Sequence, residues 1–496
     1  MSDYTTYFKG KKVTLMGLGL LGRGLGDAVF LAEHGAELIV TDLRSKEDLA
    51  PSLEKLKKYN PVKAQGAHGA GNIHYTLGEH KVEDFRNRDF IVKAAGVALD
   101  SPYILEAQKQ GIPVEMDASL FAKLAPKGVT LVGITGTRGK STTTALIYDI
   151  LSSSAPLQRG STESSRGRGV FKAGNLVPEA TLPLLEKVKS GDIVVLELDS
   201  WQLQGFHDAK ISPQVAVFTT FLDDHLIYYK GDTDRYFEDK VAIFKYQKNE
   251  KNENNKNILI AGEKVAALIG KSEVPVNGDF VIAKKEDVPT EWNIPIPGDH
   301  NLENIACALA VGKYFKIPDA VVQKTVESFK AVAGRLEFIR EVNGVKIYND
   351  NNATTPDATI AGLRALCRHQ VSTQVSTGLW TPDVYESPNI VLIMGGTDKG
   401  LDMSKLVVEI QKHCNGLVLL KESGTEKFLT LIHNSKFITQ KMVEAENLEE
   451  CVSKAMKMAQ SGDVVLFSPA FASFGKWFKN EYDRGEQFVK LVKQYV

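Results

Sequence analysis

Short apolar runs that break into glycine-rich or polar turns recur along the whole of this chain. KKVTLMG (11–17) leads into glycines, the helical pattern DAVFLAEHG and then AELIVTD (36–42). DFIVKAAG (89–96) is a later run of the same kind. GVTLVGITG (128–136) opens a second series, continued by DIVVLEL (192–198), QVAVFTT (214–220) and ILIAG. A third holds GVKIYND (344–350), NIVLIMGG (389–396), GLVLL (416–420) and DVVLFSPA (463–470). Runs this short and unbroken, alternating with helices, fit strands of parallel sheets covered on both faces. The chain is therefore read as α/β, in three domains: 1–127, 128–332 and 333–496. The first boundary follows Pro126-Lys127-Gly128, and the second lies near FKAVAGRLEF (329–338). A length of 496 residues suits that count.

Composition narrows the function classes. Sixty basic and 61 acidic residues give a net charge of −1, which draws the chain neither to nucleic acid nor to anionic membrane. Cys307, Cys367, Cys414 and Cys451 form no C-x-x-C pair and read as reduced thiols. The start, MSDYTTYFKGKKV, has no apolar signal region, and no apolar run reaches the ~18 residues of a membrane span. The expectation is a cytoplasmic monomer without nucleic-acid or membrane partners. The tracts 154–169, 248–257 and 367–388 are polar and read as surface loops.

Two glycine loops stand in strand–turn–helix context. Gly17-Leu18-Gly19-Leu20-Leu21-Gly22 is G-x-G-x-x-G, with Asp42 twenty residues beyond it at a strand end. Glycines let backbone approach a diphosphate, and a helix N-terminus favours its charge. A dinucleotide, a nucleotide diphosphate or a bare turn all satisfy this pattern. Gly133, Gly136 and Gly139 in GITGTRGKSTTT depart from strict P-loop spacing, yet Lys140, Ser141 and Thr142 open a helix where phosphate and Mg²⁺ would sit. Glu197 ends an apolar strand; Asp223, Asp224 and His225 follow another, a donor set suited to Mg²⁺. GDHNLEN (298–304) begins a helix. YNDNNATTPDAT (348–359), GGTDKG (395–400) and SPAFAS (468–473) end three strands of the last domain, which suggests a pocket on one sheet edge.

Taken together, GITGTRGKSTTT, LELDSWQL, DDHL, GDHNLEN and GRLE resemble, in order, motifs of the Mur ligases and folylpolyglutamate synthases. The resemblance spans the chain and implies an N-terminal Rossmann-like domain, a central P-loop ATPase domain and a C-terminal Rossmann-like α/β domain. GLGLLG, IYNDNNAT, GGTDKG and SPAFASF most resemble the branch that adds D-glutamate to UDP-N-acetylmuramoyl-L-alanine in peptidoglycan precursor synthesis. The resemblance implies ATP held by Gly136, Thr137, Gly139, Lys140, Ser141, Thr142, Asn301, Asn304, Arg335 and Asp350. It implies two Mg²⁺ ions on Ser141, Glu197, His225 and Lys240, the last a lysine that can carry a carbamate. Lys140, His225 and Lys240 would be the catalytic groups. Gly17, Gly19, Gly22, Asp42, Arg44, Gly96 and Asn175 would hold the UDP-sugar, and Thr354, Lys399 and Ser473 the D-glutamate.

The chain departs from the family pattern at several points. Ala94-Ala95 stands for Ser-Pro, Asp199 for serine and Asn352 for lysine; DDHLIYY lacks the usual aspartate and histidine, and SFGKWFKNEY carries an extra residue. Other readings are a family ligase with a different amino acid, a folylpolyglutamate synthase-like ligase, or a nucleotide-binding relative without catalysis. An NAD-dependent dehydrogenase has no catalytic motif in its favour.

Overall fold

The computed structural model describes residues 4–20, 22–59, 73–154, 168–224, 228–248, 256–367, 388–433, 441–473 and 477–495. The chain divides into two compact units. The first is Met1–Thr290 with Glu303–Thr325; the second is Glu291–Leu302 with Val326–Val496. No helix among the described residues is long and apolar enough to cross a membrane.

The first unit holds two sheets. Strands β1 (Lys12–Met16), β2 (Glu37–Asp42), β3 (Ile73–Leu77), β4 (Phe90–Lys93) and β5 (Val114–Glu115) lie in the order β3-β2-β1-β4-β5. All are parallel. The order reverses between β1 and β4, so their C-terminal ends flank a crevice of the kind that takes ligands. Strands β6 (Thr130–Thr135), β7 (Val170–Gly174), β8 (Ile193–Glu197), β9 (Val215–Phe218), β10 (Ile258–Gly262) and β11 (Asp279–Ala283) form the second sheet, ordered β11-β10-β9-β6-β8-β7 and also parallel. Here β6 lies between β8 and β9, and the loop leaving it occupies the switch point. One apolar core runs across both sheets, from Phe8 and Val13 to Phe218 and Leu259.

The second unit carries β12 (Glu337–Val342), β13 (Val345–Asn349), β14 (Ile390–Met394), β15 (Cys414–Leu420), β16 (Met442–Ala445) and β17 (Val464–Phe467), ordered β12-β13-β17-β14-β15-β16. Only the β12–β13 pair is antiparallel. Separate apolar clusters cover its two faces, one around Leu392, Leu417 and Leu466, the other around Val391, Val418 and Val465. The alternation of these residues along each strand is what a sheet buried on both sides requires. Cys307, Cys414 and Cys451 are buried. The tracts expected as surface loops fall largely at 155–167, 249–255 and 368–387, outside the described residues.

Candidate active site

The loop after β6 is shaped by two glycines rather than three. Gly136 (φ +151°) and Gly139 (φ +85°) take conformations that side chains rarely adopt. A methyl at Gly139 would come within 2.2 Å of Asn304 Oδ1, and one at Gly136 within 2.0 Å of Thr219 Oγ1. Gly133, read from sequence as part of the turn, pairs within β6. Its hydrogen leaves room for Pro213, whose Cγ would be 2.5 Å from a methyl there. The loop is tied to the strand beside it: Thr137 N donates to Thr220 O (2.8 Å) and Arg138 N to Thr220 Oγ1 (2.8 Å). Arg138 also pairs with Asp224 at 2.8 Å, so that carboxylate braces the loop. By sequence alone Asp224 counts among the candidate metal donors.

Two lysine side chains meet at this loop. Lys140, first residue of the helix Lys140–Ser154, donates to Gly136 O at 2.9 Å. Lys240, from the helix Thr233–Lys245, donates to the same oxygen at 3.1 Å. Lys240 is 1% exposed. Burial first, then the Lys140 charge, pushes its ammonium far below the ordinary lysine range, which favours a neutral amine. Ser141 and Thr142 are buried beside Lys140. Glu197 closes β8 with its Oε2 buried and without a hydrogen-bond partner. An orphaned carboxylate oxygen is costly unless a cation reaches it, so the donor set fits Mg²⁺ completed by phosphate oxygens. His225 lies outside the described residues. Asn304 accepts from Thr143 Oγ1 at 3.3 Å and packs on the loop.

The crevice of the first sheet is organised by Asp42. Gly17 (φ +101°), Gly19 (φ +64°) and Gly22 (φ +92°) form the turn before the helix Arg23–Glu33. Asp42 accepts from Gly19 N and from Arg44 N, both at 2.9 Å, so it holds the glycine turn from below. Arg44 is half exposed, with a nitrogen 3.9 Å from the same carboxylate. Gly96 is exposed in the turn after β4. Asn175 links the two sheets of this unit: it accepts from Arg23 at 2.7 Å and donates to Asp199. Asp199 also caps the helix Ser200–Ala209 through Gln202 N. The aspartate that stands for a family serine thus serves as both cap and acceptor. Lys93 ends β4 almost fully buried and donates to Val97 O at 3.0 Å. Burial lowers its ammonium to about 8, against the opposing pull of Asp199, Asp208 and Asp239.

In the second unit, the loops after β13, β14 and β17 share one edge. Lys399 donates to Thr354 Oγ1 at 3.0 Å, and Thr397 pairs with Ala472 next to the buried Ser473. Asp350 is buried and accepts from Leu336 N (3.1 Å) and Ser468 Oγ (2.9 Å); burial lifts its carboxyl to about 7. It therefore supports the turn of Arg335, whose Nε is buried without a partner. Asn352 supports the same turn, donating through N to Gly334 O (3.0 Å) and through Nδ2 to Ala333 O (3.2 Å). Asn301 is buried on Pro297 O, in the same unit.

Comparison with known proteins decides the family. A UDP-N-acetylmuramoylalanine–D-glutamate ligase of Roseiflexus sp. is 32% identical over 98% of this chain and 99% of its own length. The enzyme of the same name from Borreliella afzelii is 31% identical over 96% of each chain. This chain belongs to the Mur ligase family. The Mur ligase MurD-like N-terminal domain matches residues 11–115, the Mur ligase middle domain 134–312 and the Mur ligase glutamate ligase domain 334–471. Among solved structures, UDP-N-acetylmuramate–alanine ligase from Thermotoga maritima shares the fold, with a TM-score of 0.53 and 19% identity over 97% of this chain and 99% of that one. In this Mur ligase the glycine loops were legible from sequence because their spacing is local. Arg23, Lys93 and Arg138 were not singled out. Arg23 directly follows G-x-G-x-x-G, and Lys93 is a charge ending an apolar run; both were signals available in the sequence.

Proposed function

We propose that this Mur ligase uses ATP to join D-glutamate to UDP-N-acetylmuramoyl-L-alanine in peptidoglycan precursor synthesis. The observation that carries the reading is the full-length similarity to relatives bearing that activity in their names. The geometry of the β6 loop supports the phosphate chemistry. A carboxylate is a poor electrophile toward an amine, so its oxygen first takes the γ-phosphoryl group of ATP. The amine of D-glutamate then attacks the acyl phosphate, and phosphate leaves as the amide forms. Both reactants of the first step are anionic. Lys140 and the N–H groups opening its helix offset that repulsion; Ser141, Glu197 and His225 would hold Mg²⁺, which would supply further positive charge.

Lys240 is the residue we assign to a carbamate. Its neutral amine can add to carbon dioxide, losing a proton and gaining a carboxylate that would serve as a further Mg²⁺ donor. The carbamate would show as one new carbonyl signal when folded protein is equilibrated with ¹³C-bicarbonate, and Lys240→Arg would remove it. Asn304, Asn301 and Arg335 stay assigned to ATP, and Asp350 acts through the Arg335 turn. Gly17 to Gly22, Arg44, Gly96 and Asn175 are assigned to the UDP-sugar, with Asp42 shaping the turn. Thr354, Lys399 and Ser473 are assigned to D-glutamate. We place the domain limits at 127/128 and 332/333, and the enzyme in the cytoplasm as a monomer.

The test is isotopic. With ¹⁸O in the carboxylate of the nucleotide substrate, one labelled oxygen should appear in inorganic phosphate for each amide formed. Amide formation with unlabelled phosphate would overturn the acyl-phosphate route.

A further inference from the structure

The three loops assigned to the amino acid are joined by one side chain that none of those assignments includes. Arg484 lies in the helix Glu481–Gln494, whose start is capped by Asn480, and is 0% exposed. Its Nε donates to Asn351 Oδ1 at 2.6 Å and one terminal nitrogen to Asn351 O at 2.9 Å. The other terminal nitrogen reaches Phe471 O (3.4 Å) and Ala472 O (3.3 Å). A methyl on Gly396 would stand 3.4 Å from that same nitrogen, so the third loop abuts the guanidinium as well. Thr397 and Ala472 exchange backbone hydrogen bonds at 3.1 Å across the gap. Two loops are thus held directly, at Asn351 and Ala472, and the third is tied to Ala472 through Thr397; each anchor lies within three residues of a proposed contact, Asn351 before Thr354, Thr397 before Lys399 and Ala472 before Ser473.

The charge of Arg484 is also unusual. Its hydrogen-bond partners are neutral oxygens, and among the described residues no carboxylate forms an ion pair with it. Glu481 is the acid whose charge acts on it, and that residue offers Asn351 its backbone carbonyl. Burial lowers the guanidinium to about 10, so it stays charged at neutral pH. A planar fork of donors suits the bridging of several carbonyls at fixed angles, and a buried, unneutralised cation biases nearby sites toward anions.

We propose that Arg484 is a positioning and specificity residue: it locks the loops of Thr354, Lys399 and Ser473 into one pocket, and its unneutralised charge favours an amino acid with two carboxylates. This rests on the amino-acid pocket assigned under the proposed function.

The test compares Arg484→Met, Arg484→Lys and Asn351→Ala in full-length protein, each checked for folding by circular dichroism. Steady-state KM values are measured for D-glutamate, ATP and the UDP-linked substrate, and kcat/KM is compared for D-glutamate and D-glutamine. Arg484→Met should raise KM for D-glutamate by about tenfold and narrow the preference over D-glutamine, with the other two KM values within about twofold. Arg484→Lys and Asn351→Ala keep the charge and weaken the grip, so KM rises while the preference stays. These two carry the test if the methionine variant does not fold. The proposal is overturned if folded variants raise all three KM values together, or leave KM for D-glutamate unchanged. If the wild type turns over only another amino acid, the functional reading fails. The variants are then scored on that amino acid, where the grip makes the same prediction and a neutral substrate refutes the charge argument.

Discussion

Lys140 and Lys240 both donate to one carbonyl oxygen, yet their tasks differ. Lys140→Ala should lower ligation by about a hundredfold or more, in line with the loss of one preorganised transition-state contact. Binding of the UDP-linked substrate, measured by calorimetry, should persist; equal loss of both in folded protein would remove Lys140 from the phosphate site. Asp350 gives a pH prediction. Its carboxyl is held near 7 against 3.8 in the free side chain, mainly by burial. The folded state thus binds a proton the unfolded state has lost, and its contribution to stability falls as pH rises from about 4 through about 7. At about 1.4 kcal/mol per pKa unit this amounts to a few kcal/mol. Asp350→Asn keeps the contacts without the charge, so its denaturant midpoint should overtake that of the wild type as pH rises. Parallel pH curves would contradict this. Not all of this residue-level detail was open to sequence. Asn352 could be seen as a missing charge, but its hydrogen bonds to Ala333 and Gly334 depend on a fold contact between two loops.

At the scale of elements, the sequence named the interior strands of all three sheets and missed the edges. The six unnamed strands are β3 and β5, β7 and β11, and β12 and β16, the two borders of each sheet. The physical reason is burial. An interior strand such as β8 or β14 is buried at every position and must be an apolar run, whereas β11 is exposed at four of its five residues. The glycine loop yields a matching test. Gly133→Ala overfills the space beside Pro213 within β6 and should destabilise the fold by about 1–3 kcal/mol, with KM for ATP unchanged. Gly139→Ala meets Asn304 and a left-handed backbone, so it should raise KM for ATP as well. Melting curves and ATP kinetics on both variants separate strand from loop. The same KM for ATP in both would return Gly133 to the binding turn.

At the scale of the whole molecule, local spacing carried the family and the order of its domains, because phosphate loops and strand ends are written in contiguous residues. What spacing could not carry was the three-dimensional support. Asp42 turns inward to hold the first glycine loop, Asp224 braces the second through Arg138, and Arg484 gathers three loops from a helix beyond them. The chemistry of the assembled enzyme turns on which amine it accepts. The most direct measurement is ADP release by purified protein with UDP-N-acetylmuramoyl-L-alanine, across a panel of D- and L-amino acids. With D-glutamate, ADP and amide should appear in equal amounts, and neither should appear when the nucleotide substrate or D-glutamate is left out. Turnover with a different amino acid, or ADP release that needs neither partner, would contradict it.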